Sequence, residues 1–241
     1  MKTLQILIVF IAAATLSSCN FDISMGQIDG NGNVVTEERP VSDFTKVKGS
    51  AGIDVFLTEG TENKVVVEAD ENLMEFIETT VEGGKLRIRS SRNNNIGRAK
   101  AKKVHVTYVS LTSIEASSGA DVIGNSVIKS ETLNLDSSSG ADLELEILSK
   151  EVFAETSSGS DMKLSGKATT LRAKASSGSD LDAKELLVAN CNADASSGAD
   201  IKVNVKERLS AEASSGGDVH YYGDPAAVTN NSGRTGSVHK M

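Results

Sequence analysis

Tryptophan is absent from this 241-residue chain, and with six Phe and three Tyr the aromatic share is 4%. Enzymes that process polysaccharides stack sugar rings on aromatic side chains, so this scarcity argues against a sugar-processing cleft. Cysteine occurs only at positions 19 and 191, too few for a disulfide-stapled scaffold. Histidine occurs only at 105, 220 and 239. No H-E-x-x-H, G-x-S-x-G or G-x-x-x-x-G-K-S/T motif is present, which leaves zincin, serine-elbow and P-loop chemistry without a foothold. Basic residues are outnumbered, 25 Lys and Arg against 33 Asp and Glu, for a net charge of -8. Such a balance suits neither nucleic acid nor an anionic membrane face, and nucleic acid is excluded as a partner.

Long apolar runs are also missing, apart from Ile6 to Ala14, which is too short to span a bilayer. Lys2 precedes that run and Leu16-Ser17-Ser18-Cys19 follows it. This pattern predicts a lipoprotein-type signal peptide over residues 1–18, cleaved before Cys19, which then carries the lipid. Ordinary secretory cleavage after a small residue is the alternative. With Cys19 acylated, Cys191 has no partner and no disulfide is expected. Asn20 stands where Asp would favour inner-membrane retention, so the expected location is the outer membrane, as a periplasmic or surface-exposed lipoprotein. The two prolines, Pro40 and Pro225, punctuate the ends. Residues 19–40, rich in Gly, Asn and Asp, read as a flexible linker, and residues 226–241 as a polar tail. A single domain is expected between them, over residues 41–225.

What this chain does have is repetition. Six copies of S-S-G-x-D place glycines at 119, 140, 159, 178, 198 and 216, a period of about twenty residues. Short runs of alternating apolar and polar residues flank each copy, the mark of half-buried strands. In the fourth copy Leu171, Ala173, Ala175, Ser177, Ser179, Leu181 and Ala183 share the inward parity. The residue three before each glycine is small (Ala116, Ser137, Thr156, Ala175, Ala195, Ala213), as a narrow, densely packed interior requires. At roughly 3.3 Å per residue each coil has a perimeter of about 60–70 Å, enough for three short sides. The prediction is an all-β fold: a right-handed parallel β-helix of about twenty-residue coils, without the strict hexapeptide rule of the left-handed triangular form. Its N-terminal β portion, Phe44 to Val109, is irregular. There Gly52-Ile53-Asp54 reads as a degenerate seventh copy, Glu71 to Glu78 as a helical turn or two, and Ser90 to Lys103 as a surface hairpin. The Tyr221 to Pro225 segment is expected to close the last coil.

Arg39-Pro40-Val41-x-x-Phe44, Gly52-x-Asp54-Val55, Gly84-x-Leu86-x-Ile88, the repeated S-S-G-x-D and Tyr222-Gly223-Asp224-Pro225 together resemble the DUF2807 family. That family's label refers to the head GIN domain of autotransporter adhesins, and it is common in lipoproteins of Bacteroidetes. The resemblance covers nearly all of residues 40–225. It implies a β-helical fold and an extracytoplasmic place, and supplies no catalytic residues.

In-register stacking aligns Asp121, Asp142, Asp161, Asp180, Asp200 and Asp218 in an outward column. Two readings compete for it. Ser, Gly and Asp satisfy turn geometry, with no ligand needed; alternatively the carboxylates, serine hydroxyls and turn carbonyls hold a hard cation such as Ca²⁺. The turn reading is preferred, because the nine-residue glycine-aspartate repeat of calcium rolls is missing, and no cofactor is required. The paired serines lack a histidine base, and Cys191 reads as a small core residue. The expected role is non-enzymatic: binding, adhesion or envelope scaffolding, with a membrane reached through Cys19 and a polymer or protein on the β-helix face. The opposing reading, a carbohydrate-active enzyme of the polysaccharide lyase or glycoside hydrolase type, needs an inserted loop with converging acids.

Overall fold

A computed structural model describes residues 27–91 and 94–241. The leader and Cys19 lie outside the described residues. The N-terminal part contains β1 (Gln27–Ile28), β2 (Val34–Arg39), β3 (Lys46–Ser50), β4 (Asp54–Glu59) and β5 (Lys64–Asp70), followed by a 3₁₀ helix (Glu71–Phe76). Then come β6 (Ile77–Glu82), β7 (Lys85–Ser90), β8 (Asn95–Ile96) and β9 (Lys102–Tyr108). The repeats form β10 (Ser113–Ser117), β11 (Asp121–Gly124), β12 (Ile128–Ser138), β13 (Asp142–Ser157), β14 (Asp161–Ser176), β15 (Asp180–Ser196), β16 (Asp200–Ser214) and β17 (Asp218–Tyr222). Two strands close the chain, β18 (Ala227–Asn230) and β19 (Ser237–Lys240). The result is a β-solenoid of about seven turns with an irregular N-terminal β part.

The S-S-G-x-D phrase makes the corner of every coil. In the third copy Ser157 ends a strand, while Ser158 (φ 58°) and Gly159 (φ 66°) both take left-handed dihedrals. Consecutive positive φ values are the signature of a tight turn that reverses the peptide planes. The reversal lets both sides of the corner join the axial ladder: the Gly159 amide donates to Ser177 O of the next coil (3.2 Å), and the Asp161 amide to Ala141 O of the previous one (3.1 Å). Ser177 is therefore exposed at its corner, not inward as parity alone suggested, while Ser179 is fully buried and accepts the Ser176 amide at 3.2 Å. The six small residues before the glycines are all buried.

Each coil has a leading arm after the turn, such as Asp161–Ala168, and a trailing arm before the next, such as Thr170–Ser176. Between the arms the inward phase slips by one residue: Leu143, Leu145 and Ile147 point inward on one parity, and Val152, Ala154 and Thr156 on the other. That slip is what an odd coil length of nineteen residues demands. Gly166 (φ 103°) sits near this corner, where a Cβ would run into the Ile147 carbonyl.

The coil at Gly52 is the expected seventh copy, with Ala51 (φ 61°) and Gly52 (φ 67°) in the same turn. Its place in the stack is not sequential: β3 pairs in parallel with β10 on one side and β7 on the other, and β4 lies between β11 and β9. The chain lays down this coil first, descends to build the cap, then returns above it.

Four local expectations are revised. Within the linker segment, β2 pairs antiparallel with β5. Residues 226–241 are not a free tail, since β18 and β19 continue the ladders of β16 and β17 in parallel. The Tyr221 to Pro225 segment therefore leads into a further coil. Its turn carries Arg234-Thr235-Gly236-Ser237, and the missing S-S-G-x-D phrase is why the coil escaped the repeat count. Among the described residues between Ser90 and Lys103 there is no hairpin: β8 pairs in parallel with β1. Asp70, 1% exposed, ties this region together by accepting the amides of Gly32 (3.0 Å), Lys100 (3.3 Å) and Ala101 (3.1 Å).

Candidate functional site

The register aligns Asp121, Asp142, Asp161, Asp180, Asp200 and Asp218 rung by rung at the start of the leading arms. Asp54 extends the column below Asp121, and Lys103 stands below Asp54. At the far end Ser237 donates its hydroxyl to Asp218. Burial, then the neighbouring carboxylates, push Asp121, Asp142 and Asp161 above the usual carboxylate range. Among the described residues no group of three or more His, Cys, Asp or Glu side chains is arranged to hold a metal ion.

The paired serines have structural employment. Ser158 and its equivalents occupy strained left-handed positions, and Ser160 Oγ donates to Ser137 O at 2.7 Å inside the coil. Among the described residues no serine hydroxyl hydrogen-bonds a histidine. His105 pairs with Glu68 (2.9 Å), and His220 stacks on His239 with ring centres 5.7 Å apart. Cys191 is buried, which pushes its thiol up to about 12.

The concave surface lies elsewhere, on the trailing arms. An open groove of about 770 Å³ runs across the strands along the solenoid axis. One wall is the column Ser113, Asn134, Phe153, Arg172, Asn192 and Ser210. The other, two residues further along each strand, is Glu115, Asp136, Glu155, Lys174, Asp194 and Glu212. Ala154, Ala173 and Ala193 lie between them with their side chains turned into the core, so the floor is strand backbone, lower than the outward side chains on either side. The Arg172 guanidinium covers the Phe153 ring at 5.2 Å.

Charges on the acidic wall are unevenly compensated. Burial pushes Glu115 up, but Lys85 and Lys48 outweigh it and hold its carboxyl below the ordinary value. Glu155 is bridged to Lys174 at 3.3 Å. Among the described residues Asp136 has no ion-pair partner, and burial together with Glu115 and Glu155 pushes it above its ordinary value. Sequence reasoning did not single out this wall. Outward residues of a strand carry no periodic signal beyond polarity, and only the register brings these six into one line.

A family model described as "Putative auto-transporter adhesin, head GIN domain" matches residues 43–225. The chain belongs to the DUF2807 family. Among solved structures, the DUF2807 fold of this chain is similar to that of a "putative adhesin" from Bacteroides fragilis, with 18% identity, a TM-score of 0.83, and 89% of this chain and 100% of that chain covered. A "putative lipid binding protein" from Parabacteroides distasonis gives 22% identity and a TM-score of 0.70 over 89% and 99% of the two chains. A "putative adhesin" from Parabacteroides merdae gives 18% and 0.71 over 90% and 99%. At these identities the likeness establishes the fold. No curated protein matches the chain in sequence. The family's description suggests a non-enzymatic binding or adhesion role at the envelope or outside the cell. Among the described residues no helix is long and apolar enough to cross a membrane.

Proposed function

We propose that this DUF2807 chain is a lipid-anchored, non-enzymatic binding module of the outer membrane, tethered through Cys19 and holding its partner in the groove on the trailing arms. The observation that carries this reading is the groove itself, a continuous trough crossing successive coils with polar columns on both sides. A trough made of stacked repeats offers the same contacts at each rung, which suits an extended partner. The lipid-binding role in the name of the Parabacteroides distasonis relative is less well supported here: the solenoid interior is packed with aliphatic side chains, and the groove walls are polar.

A glycoside-hydrolase reading also fits poorly. Such enzymes place two carboxyl groups on opposite sides of the scissile bond. In this groove every carboxylate stands on one wall. The wall facing them carries Ser, Asn, Phe and Arg.

Two measurements test the proposal on cells expressing the full chain. Radiolabelled palmitate is incorporated into the wild type, and Cys19→Ser abolishes the label. Cells carrying Asn192→Trp, which fills the trough, attach less well to surfaces coated with proteins or polysaccharides. Unlabelled wild type removes the anchor from the proposal, and full attachment by the groove-filled variant removes the groove.

A further inference from the structure

From the two walls and their spacing we infer that the groove takes a cationic polypeptide segment in extended conformation, lying along the solenoid axis with basic side chains at positions i and i+4. This rests on the groove being the binding site and adds the chemical class of its occupant.

The acidic wall supplies the charge argument. Of its six members only Lys174 is basic, and Lys174 is bridged to Glu155. Lys48 and Lys85 meet Glu115 at the capped end. Asp136, Asp194 and Glu212 have no ion-pair partner among the described residues. Two anionic positions thus flank a neutralised centre: Asp136 on one side of the Glu155–Lys174 pair, and Asp194 with Glu212 on the other. Burial and its two acidic neighbours already raise the proton affinity of Asp136, so a cation placed beside it relieves an existing repulsion.

Spacing supplies the second argument. Asp136 and Asp194 are three rungs apart in register, about 14 Å at roughly 4.8 Å per rung. An extended chain rises about 3.4 Å per residue and returns to the same face every second residue. Residues i and i+4 therefore project from one face about 13.5 Å apart, matching that interval. Residue i+2 falls about 7 Å from either end, between Glu155 and Lys174, whose ion pair presents no net charge to it, so a neutral side chain fits there. The facing wall contributes Asn192 and Ser210, whose side chains make no hydrogen bond to one another and lie within reach of a peptide backbone.

A neutral glycan is less well served. The one aromatic ring of the groove is already covered by Arg172, and the Asn134 amide is committed to Thr112 O at 3.2 Å.

The test uses fluorescence anisotropy on the purified chain. The probe is a nine-residue peptide with lysines at its third and seventh positions and serine at the fifth. Controls are a peptide of the same composition with lysines at the third and sixth positions, and a neutral glucose hexamer. The first peptide binds at least fivefold tighter than the second, and 1 M salt removes most of the difference. Asp136→Asn and Asp194→Asn each weaken it roughly three- to fivefold, the scale of one solvent-accessible ion pair. Lys174→Glu leaves two carboxylates facing the fifth position and creates a preference for lysine there over serine, and this gain of binding cannot come from a damaged fold. Equal affinity for both spacings, no peptide binding, or no response to the three substitutions overturns the inference. Binding of the glucose hexamer with loss in Asn192→Trp also overturns it, while leaving the groove as the site.

Discussion

Replacing Asp161 by Asn should stabilise the protein at neutral pH. Its carboxylate is flanked in register by Asp142 and Asp180, and among the described residues none of its side-chain oxygens accepts a hydrogen bond. Two unit charges about 4.8 Å apart in water repel by roughly 0.9 kcal/mol, and screening at physiological salt, with a Debye length of about 8 Å, brings this to about 0.5 kcal/mol per neighbour. Two neighbours give about 1 kcal/mol, which for a chain of this size raises the melting midpoint by roughly 2–4 °C. Burial and both neighbours raise the folded-state pKa of Asp161, so the folded protein binds its proton more readily than the unfolded chain. The penalty is therefore fully present at neutral pH and relieved as pH falls through the raised pKa, so the advantage of Asp161→Asn shrinks on acidification. Circular-dichroism melts at pH 7 and pH 4, and at pH 7 in 1 M NaCl, measure all three effects. A lower midpoint for Asp161→Asn at pH 7 refutes the repulsion reasoning. A calcium-dependent rise of the wild-type midpoint, abolished by Asp161→Asn with Asp180→Asn, would make the column a cation site.

Two glycines with different reasons for being glycine give a paired prediction. Gly159→Ala places its Cβ in open space and costs only the left-handed dihedral, about 1 kcal/mol, whereas Gly166→Ala meets the Ile147 carbonyl and costs about 3 kcal/mol, both read by urea melts. Asp70→Ala leaves three amides without an acceptor, so hydrogen exchange at Gly32, Lys100 and Ala101 accelerates while the repeats keep their protection. Burial pushes the Asp70 carboxyl up, but these amides outweigh it and hold it below the ordinary value. Its contribution is thus intact at neutral pH and lost only as pH falls through that depressed pKa. Cys191 stays unreactive toward a disulfide reagent at pH 8 until denaturant is added, because its thiol is both buried and pushed up to about 12.

The solenoid was legible because its two determinants are local and repeated. Ser158-Gly159 and its equivalents encode a turn through their own dihedrals, and alternation along Leu171, Ala173 and Ala175 encodes which side is buried. Stacking adjacent copies then fixes the Asp register without further information. What escaped was non-local. No feature of Lys46 to Glu59 announces that this segment stacks against both Lys85–Ser90 and Ser113–Ser117, and Asp70 reveals its role only when Gly32 and Ala101 are brought to it. The last coil lacks the signature phrase and is held by ladder pairing with β16 and β17. The groove was the least visible of all. Its walls come from Phe153, Arg172, Asp136 and Asp194, which look like ordinary exposed strand residues until register places them along one trough.

Binding through the trailing arms is tested most directly by photo-cross-linking on cells. A photoreactive amino acid at Ser210, within the groove, is compared with one at Lys202, on the leading arm of the same strand. The prediction is a covalent adduct with the bound partner from Ser210 and none from Lys202. Adducts from Lys202 alone, or equally from both positions, would contradict a partner seated in the groove.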